Sequence, residues 1–134
     1  MIQRKLVDSF GRIHNYLRVS VTDRCNLRCL YCMGAEGVKW LEREQILRYE
    51  EIAKVVKTAA MLGITKVRLT GGEPLVRKDL YLLIRRLSKI SGVEDLSMTT
   101  NGLLLSDQAQ LLREAGLKRV NISLDSLNSE SYYS

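Results

Sequence analysis

The chain has 134 residues, of which 46% are hydrophobic and 27% charged, and it contains 9 Gly and a single Pro. This is the composition of an ordinary globular protein, without the polar bias of a disordered chain. No run approaches the roughly 18 consecutive apolar residues that a membrane-spanning helix needs, and the N-terminus lacks the apolar core of a signal peptide. We therefore expect a cytoplasmic protein with no membrane partner.

The net charge is +6, from 21 Lys and Arg against 15 Asp and Glu. A basic balance suits nucleic acid, an anionic membrane or a phosphorylated small molecule, and it does not choose among them. The basic residues are spread along the chain, and no block of five like charges suggests a tail that binds nucleic acid.

Strands and helices are predicted to alternate along the chain. Alternating apolar and polar residues predict a strand over 16–22, and a loop with cysteines follows it. A helix is then predicted over about 49–62, with Ile52, Val55, Val56 and Ala59 on its apolar face. Next come a strand over 66–70, a helix around 80–87, a strand over 96–100, a helix over 106–115 capped by Ser106, and a fourth strand over 119–124.

This order implies parallel strands joined by right-handed crossovers, and each strand has one apolar and one polar face. The polar sets are Arg18, Ser20, Thr22; Arg68, Thr70; Ser97, Thr99; and Asn121, Ser123, Asp125, and the apolar sets are Leu17, Val19, Val21; Val67, Leu69; Leu96, Met98; and Val120, Ile122, Leu124. Neither a sheet covered on both faces nor a closed barrel with an aliphatic interior fits this pattern. We predict an α/β fold, a partial (β/α) barrel of about four βα units whose polar side holds a polar ligand. The alternative is a sheet whose polar face meets water.

Three cysteines form a C-x3-C-x2-C motif at Cys25, Cys29 and Cys32, and the chain has no others. An odd number of clustered thiols without a secretion signal argues for ligands rather than disulfides. Three thiolates at this spacing can converge on three irons of a cubane and leave the fourth iron open. Structural zinc is the alternative, but it usually takes four ligands, and His14 is the only histidine.

A second motif, Gly71-Gly72-Glu73-Pro74, stands at the carboxyl end of the second predicted strand, where α/β folds gather ligands. Alone it could be a tight turn. Together with the cysteine motif, whose last Cys follows Tyr31, it resembles the radical S-adenosylmethionine superfamily. In that superfamily the GGEP motif meets the methionine amino group of the cofactor, and glycine suits this role because a side chain would block close approach.

Within the superfamily the chain is most similar to the GTP 3′,8-cyclase family of molybdenum cofactor biosynthesis. The similarity covers essentially the whole chain, in the runs 8–12, 16–26, 68–74, 96–102 and 121–126, with one departure at Gly34, where the family commonly has Pro. It implies that Cys25, Cys29 and Cys32 hold a [4Fe–4S] cluster, that Tyr31, Gly72 and Ser123 contact S-adenosylmethionine, and that Arg18, Arg68 and Thr99 contact GTP. No catalytic residue is assigned beyond these ligands.

The resemblance also implies the reaction. A radical generated from S-adenosylmethionine at the reduced cluster takes hydrogen from the ribose 3′ carbon of GTP, and that carbon closes on C8 to give (8S)-3′,8-cyclo-7,8-dihydroguanosine 5′-triphosphate. The expected partners are GTP, S-adenosylmethionine and an electron donor, without nucleic acid, and a homodimer is left open.

Members of this family also carry a second [4Fe–4S] cluster in a C-terminal region, and no cysteine follows Cys32 in this chain. We therefore expect residues 1–134 to be the N-terminal part of a radical SAM barrel domain, cut after its fourth strand and inactive on GTP by itself.

Two competing functions are left open. Another radical SAM enzyme, such as one that modifies peptides, would share both motifs but gives less reason for arginines at positions 18 and 68. A small basic module that binds zinc or nucleic acid would be expected to have a fourth Cys ligand and interleaved surface aromatic residues, and the chain lacks both.

Overall fold

The structure is a computed structural model that describes residues 4–32 and 37–133. The sequence departure at Gly34 lies outside these residues. In the part that is described, no helix has the length and apolar character needed to cross a membrane.

The predicted alternation of strands and helices is confirmed. In chain order the elements are β1 (Leu6–Val7), β2 (Ile13–His14), β3 (Tyr16–Ser20), α1 (Tyr49–Met61), β4 (Lys66–Thr70), α2 (Leu80–Ser88), β5 (Asp95–Thr100), α3 (Leu105–Ala115), β6 (Arg119–Ile122) and α4 (Ser129–Tyr133). Short 3-10 helices precede α1 (Arg43–Gln45) and follow β4 (Pro74–Val76). The last strand stops two residues before its predicted end.

Strands β3, β4, β5 and β6 form one parallel sheet in that order. The register places Arg18 opposite Arg68, Arg68 opposite Ser97, and Met98 opposite Val120. The predicted α/β fold class is therefore confirmed. The four strands form an open sheet, and the described residues do not close it into a barrel.

Helices α1, α2 and α3 cover one face of this sheet, as the alternating strands predicted. The buried core joins the inward residues of the two central strands to the apolar stripes of the helices: Val67, Leu69, Leu96, Met98, Ile52, Val56, Leu80, Leu83, Ile84, Leu87, Leu112 and Ala115. At about 25 cal/mol per Å² of apolar surface removed from water, this layer is the main source of stability.

Two details of the helices differ from the prediction. Val55 is 52% exposed, whereas Ala60 is buried with Ile52 and Val56, so the buried stripe of α1 follows i, i+4 and i+8. Ser106 does not cap α3, because the helix begins one residue earlier and Leu104 occupies the capping position without a side-chain bond. The turn at Gly102, whose carbonyl accepts from the Leu105 N–H, sets this start instead.

Two details of the sheet also differ. The predicted inward residues Val120, Ile122 and Leu124 are 37%, 59% and 55% exposed, because β6 is an edge strand and Leu124 lies beyond its end. Ser97, predicted to line the polar side, is buried at 2% exposure and accepts a hydrogen bond from Arg68.

A hairpin of β1 and β2 precedes the sheet and was not predicted. The strands pair antiparallel with Leu6 opposite His14. The Asp8 carboxylate closes the turn between them by accepting from the backbone N–H groups of Phe10 and Arg12, both at 2.9 Å. Strands of two residues are too short for a periodic pattern, so alternation alone cannot find them.

Candidate functional site

Loops at the carboxyl ends of the four parallel strands carry most of the predicted site residues. The cysteine loop (residues 21–32) follows β3, and the glycine loop (residues 71–74) follows β4. Asn101 follows β5, and Ser123 follows β6. Because the strands are parallel, these loops share one edge of the sheet, where ligands of open α/β folds bind.

The glycine loop lies directly against the cysteine loop. The Gly72 N–H donates to the Thr22 carbonyl and the Glu73 N–H to the Arg24 carbonyl, both at 2.8 Å. A Cβ on Gly72 would lie 2.1 Å from the Arg24 carbonyl oxygen, and one on Gly71 would lie 2.5 Å from that of Thr22. The sequence explained these glycines by the approach of a ligand. The structure adds that the cysteine loop itself leaves no room for a side chain.

The three thiols share the cysteine loop but differ in exposure. Cys25 and Cys29 are half-buried and Cys32 is exposed. The Leu27 N–H points at the Cys25 sulfur at 3.5 Å, and a turn joins the Cys32 N–H to the Cys29 carbonyl. Burial is the largest cause that raises the pKa of Cys29, and the negative charges of Cys32, Asp125 and Cys25 raise it further.

The chemistry of the donor set, three free thiols in one loop, fits an iron–sulfur cluster. Three thiols with an N–H group directed at one sulfur are typical of cluster loops, where such bonds tune the metal. Among residues 4–32 and 37–133, no three His, Cys, Asp or Glu side chains are arranged to hold one metal ion. The structure therefore places the three thiols in one loop without bringing them to one centre.

Tyr31 links the cysteine loop to the segment that follows β6. Its hydroxyl donates to the Asp125 carboxylate, 2.9 Å from each oxygen. This bond raises the pKa of Tyr31 to about 12, because ionising the phenol beside a carboxylate would place two negative charges together. Tyr31 and Ser123 are thus brought to the same region, although they were predicted from motifs 92 positions apart in the sequence.

The cysteine loop is also held by side chains that the sequence analysis did not select. The guanidinium groups of Arg24 and Arg28 lie 5.1 and 5.4 Å from the ring centre of Trp40, a cation–π arrangement. Arg28 also donates to the Cys25 carbonyl at 2.8 Å. The sequence carried no signal for this contact, because Trp40 lies 12 residues from Arg28 in a segment without periodicity.

Arg77 holds the base of the cysteine loop. It donates to the Val21 and Leu47 carbonyls, each at 2.7 Å, and its guanidinium lies 4.3 Å from the ring centre of Tyr49. This residue joins the loop to the segment before α1. Its position three residues after the GGEP motif gave no hint of that role.

Glu73 is the buried acid of the site, with 2% exposure. One carboxylate oxygen accepts from the Thr100 hydroxyl and, at 3.2 Å, from the Leu75 N–H. The other oxygen accepts from the Asn101 N–H at 2.8 Å. The sequence analysis assigned a contact with S-adenosylmethionine to Gly72 and no contact to Glu73.

Arg18 and Arg68 are adjacent on the polar face of the sheet. They are paired in register on neighbouring strands, and in the described residues neither has a carboxylate within ion-pair distance. Arg68 donates to Ser97 at 3.3 Å and lies over the ring of Tyr16. Like charges in register repel each other, so this pair favours an anion on the polar face.

Thr99 lies one level nearer the carboxyl edge than the two arginines. It is half-buried and is paired in register with Asn121 of β6. The polar face therefore collects Arg18, Arg68 and Thr99, while Cys25, Cys29, Cys32, Tyr31, Gly72 and Ser123 belong to the loops at its edge. The residues predicted to contact GTP therefore lie beside those predicted to contact the cluster and S-adenosylmethionine, and no residue belongs to both sets.

The cysteine motif and the glycine motif occur together in one protein family. The family model described as "Radical SAM superfamily" matches residues 19–134, which begin within β3 and include both motifs. The chain therefore belongs to the radical SAM superfamily. Membership supports the predicted [4Fe–4S] cluster and S-adenosylmethionine as cofactors, and the donor set described above fits them.

Curated relatives narrow this class. A protein of Pelotomaculum thermopropionicum named GTP 3′,8-cyclase is 60% identical over 125 residues, which are 93% of this chain and 38% of that protein. A protein of the same name from Clostridium botulinum is 58% identical, over 96% of this chain and 40% of its own length. Another from Petrotoga mobilis is 58% identical over 95% of this chain. The chain thus spans about 40% of the length of the relatives it matches.

Solved structures of BtrN share the fold. A crystal structure of BtrN in an open conformation has a TM-score of 0.62 at 21% identity and covers 90% of this chain and 55% of that one. BtrN in complex with AdoMet and 2-DOIA has a TM-score of 0.61 at 19% identity, with coverage of 97% and 52%. At this identity the likeness concerns the fold alone.

Proposed function

We propose that this chain is the part of a GTP 3′,8-cyclase that holds its first [4Fe–4S] cluster and S-adenosylmethionine, and that residues 1–134 are the beginning of its barrel domain. The enzyme converts GTP to (8S)-3′,8-cyclo-7,8-dihydroguanosine 5′-triphosphate in molybdenum cofactor biosynthesis. The observation that carries the proposal is the contact between the cysteine loop and the glycine loop at the carboxyl edge of the sheet, beside two arginines on the polar face.

The cofactor roles follow from this edge. Cys25, Cys29 and Cys32 would hold the [4Fe–4S] cluster, and S-adenosylmethionine would bind beside it. Gly72 presents backbone to the methionine amino group, while Tyr31 and Ser123 contact the rest of the cofactor. When bound, the pair supplies the radical that takes hydrogen from the substrate.

The substrate roles follow from the polar face. Arg18 and Arg68 bind phosphate oxygens of GTP, a task for which a planar guanidinium offers paired donors. Thr99, nearer the edge, donates its hydroxyl to the nucleotide. Their position below the loops would direct the ribose of GTP toward the cofactor. The chain's own contribution is orientation and shelter from water.

The remaining partners belong to the same proposal. The cluster needs an external one-electron donor, and the enzyme works in the cytoplasm. A homodimer is compatible with this arrangement and is tested by the mass of the protein in solution.

Anaerobic reconstitution tests the cluster. We expect about four irons per chain and a broad brown charge-transfer absorbance, because three thiolates hold one cubane. Replacing Cys25, Cys29 or Cys32 by Ala should abolish both. Stoichiometric zinc without iron would reject the proposal.

Nucleotide affinity tests the arginines in a full-length enzyme that carries this chain. Arg68→Ala should weaken GTP binding about tenfold to a hundredfold, because charge-assisted hydrogen bonds are worth ~1.5–3 kcal/mol. Arg68→Lys should recover part of the loss, since an ammonium lacks the paired fork. Calorimetry with GTP, beside iron content for each variant, makes the measurement. Unchanged GTP affinity with a damaged cluster would mean that Arg68 is structural.

A further inference from the structure

Glu73 is an acid buried in an unusual setting. It has 2% exposure, and no Lys or Arg among the described residues lies within ion-pair distance of its carboxylate. Burying an acid without a cation costs free energy unless donors satisfy its oxygens. Three donors do so here, from Thr100, Leu75 and Asn101. These three hydrogen bonds fix the position of the carboxylate relative to the surrounding loops.

The three donors join separate loops. The Leu75 N–H belongs to the 3-10 helix that continues the glycine loop, whereas Thr100 and Asn101 end β5. Glu73 therefore ties the loop that carries Gly72 to the next strand of the sheet. The Thr100 hydroxyl is fixed in turn, because it also accepts from the Gly102 N–H at 3.1 Å.

The connection continues to the cysteine loop. The side-chain amide of Asn101 donates to Asn26 at 2.8 Å, and Asn26 is adjacent to Cys25. The cysteine loop returns to the glycine loop through the Glu73 N–H and the Arg24 carbonyl. Together with the chain segments between them, these hydrogen bonds form a closed ring that connects the loops after β3, β4 and β5. Glu73 takes part in the ring twice, through its carboxylate and through its backbone N–H.

We propose that Glu73 is a positioning residue of the cofactor site, whose buried carboxylate fixes the backbone at Gly72 and, through Asn101 and Asn26, the cysteine loop at Cys25. The inference rests on the proposed function, since it concerns how the S-adenosylmethionine site is held in shape. Glu73 acts through its neighbours and does not touch the cofactor. Its carboxylate is buried and both oxygens are already bonded to protein.

The competing explanation is direct contact between Glu73 and the amino group of the cofactor. The two explanations differ in what Thr100 should do. If Glu73 acts by holding the loops, removal of the Thr100 hydroxyl should reproduce the loss. If Glu73 touches the cofactor, Thr100 should matter little.

The experiment compares Glu73→Gln, Thr100→Val and Thr100→Ser in a reconstituted full-length enzyme that carries this chain. Glutamine keeps the size of the side chain but turns a donor toward the Asn101 N–H, valine removes the hydroxyl, and serine keeps it. Glu50→Gln, which changes an exposed acid of α1, is the matched control. The readouts are iron content, the affinity for S-adenosylmethionine by calorimetry, and the electron paramagnetic resonance spectrum of the reduced cluster with and without the cofactor.

We expect Glu73→Gln and Thr100→Val to retain most of the iron, to bind S-adenosylmethionine about tenfold more weakly, and to broaden the spectrum induced by the cofactor. Thr100→Ser and Glu50→Gln should behave as the unchanged protein does. A merely structural role would lower thermal stability without changing that spectrum.

Three results would overturn the inference. One is a normal affinity and spectrum in both Glu73→Gln and Thr100→Val. Another is a loss in Glu73→Gln with normal Thr100→Val, which would indicate direct contact. A third, if Glu73→Gln does not fold, is a folded Thr100→Val with normal cofactor binding. If the unchanged protein binds neither cluster nor S-adenosylmethionine, the proposed function fails instead, and the two failures are distinguishable.

Discussion

The helical layer and the loops at the carboxyl edge are held by different forces. Under α1, α2 and α3, aliphatic side chains such as Leu83 and Met98 have no exposed surface. At the edge, the loops are joined by backbone and side-chain hydrogen bonds around Glu73, and the thiols are open to solvent or half-buried. The layer excludes water, whereas the edge holds backbones in fixed contact and leaves the thiols partly exposed.

Stability and chemistry are therefore located in different parts of the molecule. Burial is non-directional, so the helical layer can supply free energy without specifying the position of any single group. Hydrogen bonds contribute less net free energy but fix direction and distance. The hydrogen bonds can therefore define the shape of the loops. The folding free energy comes mainly from the buried layer beneath them.

We expect the greatest loss of stability from a substitution in the helical layer. Leu83→Ala should lower the free energy of unfolding by ~2–5 kcal/mol, because a fully buried side chain leaves a cavity. The neighbouring Leu82 is 38% exposed, so Leu82→Ala should cost under about 1 kcal/mol with the same change in helix propensity. Denaturant unfolding of both variants makes the comparison. Equal losses would mean that α2 does not pack as described.

A smaller effect in unfolding, but a larger one in ligand binding, is expected at the edge. Gly72→Ala would place a methyl group 2.1 Å from the Arg24 carbonyl oxygen, so the two loops must separate. We expect a loss of ~1–3 kcal/mol in stability, typical of overpacking, and a strong loss of reconstituted iron.

Gly11→Ala, in the turn between β1 and β2, is the control for Gly72→Ala. Gly11 has a φ of +80° and nothing within 4 Å of an added Cβ, so it tests the loss of glycine's backbone freedom without a clash. Iron loading should be normal in Gly11→Ala. Normal loading in Gly72→Ala would contradict the contact between the loops.

Much of the fold could be predicted because it rests on periodic patterns. Alternation placed β3, β4, β5 and β6 and their buried face, and helical spacing found α1, α2 and α3. Errors arose where a neighbour decides the outcome. The inward residues of β6 are exposed because of its edge position, and α3 starts at a turn that Gly102 sets rather than at Ser106.

The site divides in the same way. The motifs predicted that the cysteine loop and the glycine loop follow neighbouring strands, and the two loops are in contact because the carboxyl ends of parallel strands are neighbours by topology. They could not predict the contacts of Arg77, Trp40 or Glu73, which depend on how the loops fold over one another. Hydrogen bonds between residues such as Asn26 and Asn101, 75 positions apart, have no local signature.

A minor change in stability is expected at the hairpin of β1 and β2, which is held by polar contacts with little burial. The Asp8 carboxylate accepts from the Arg12 backbone and side chain, from His14 and from Phe10. These bonds, with the Arg12 backbone N–H as the largest cause, lower the pKa of Asp8 from 3.8 to about 2. A lowered pKa means that the folded turn prefers the ionised acid.

The sign of the pH dependence follows. The contribution of Asp8 to the hairpin is complete above its unfolded pKa of 3.8 and is lost as the pH falls through about 2. Amide resonances of Phe10 and Arg12, followed by NMR from about pH 5 to about pH 1, should therefore move with a midpoint at about 2. In Asp8→Asn, which keeps an acceptor but cannot titrate, the same resonances should not respond in this window, while those of the helical layer stay unchanged in both proteins. A midpoint near 3.8 would mean that the turn does not hold its carboxylate, and the hairpin would then owe its shape to strand pairing alone.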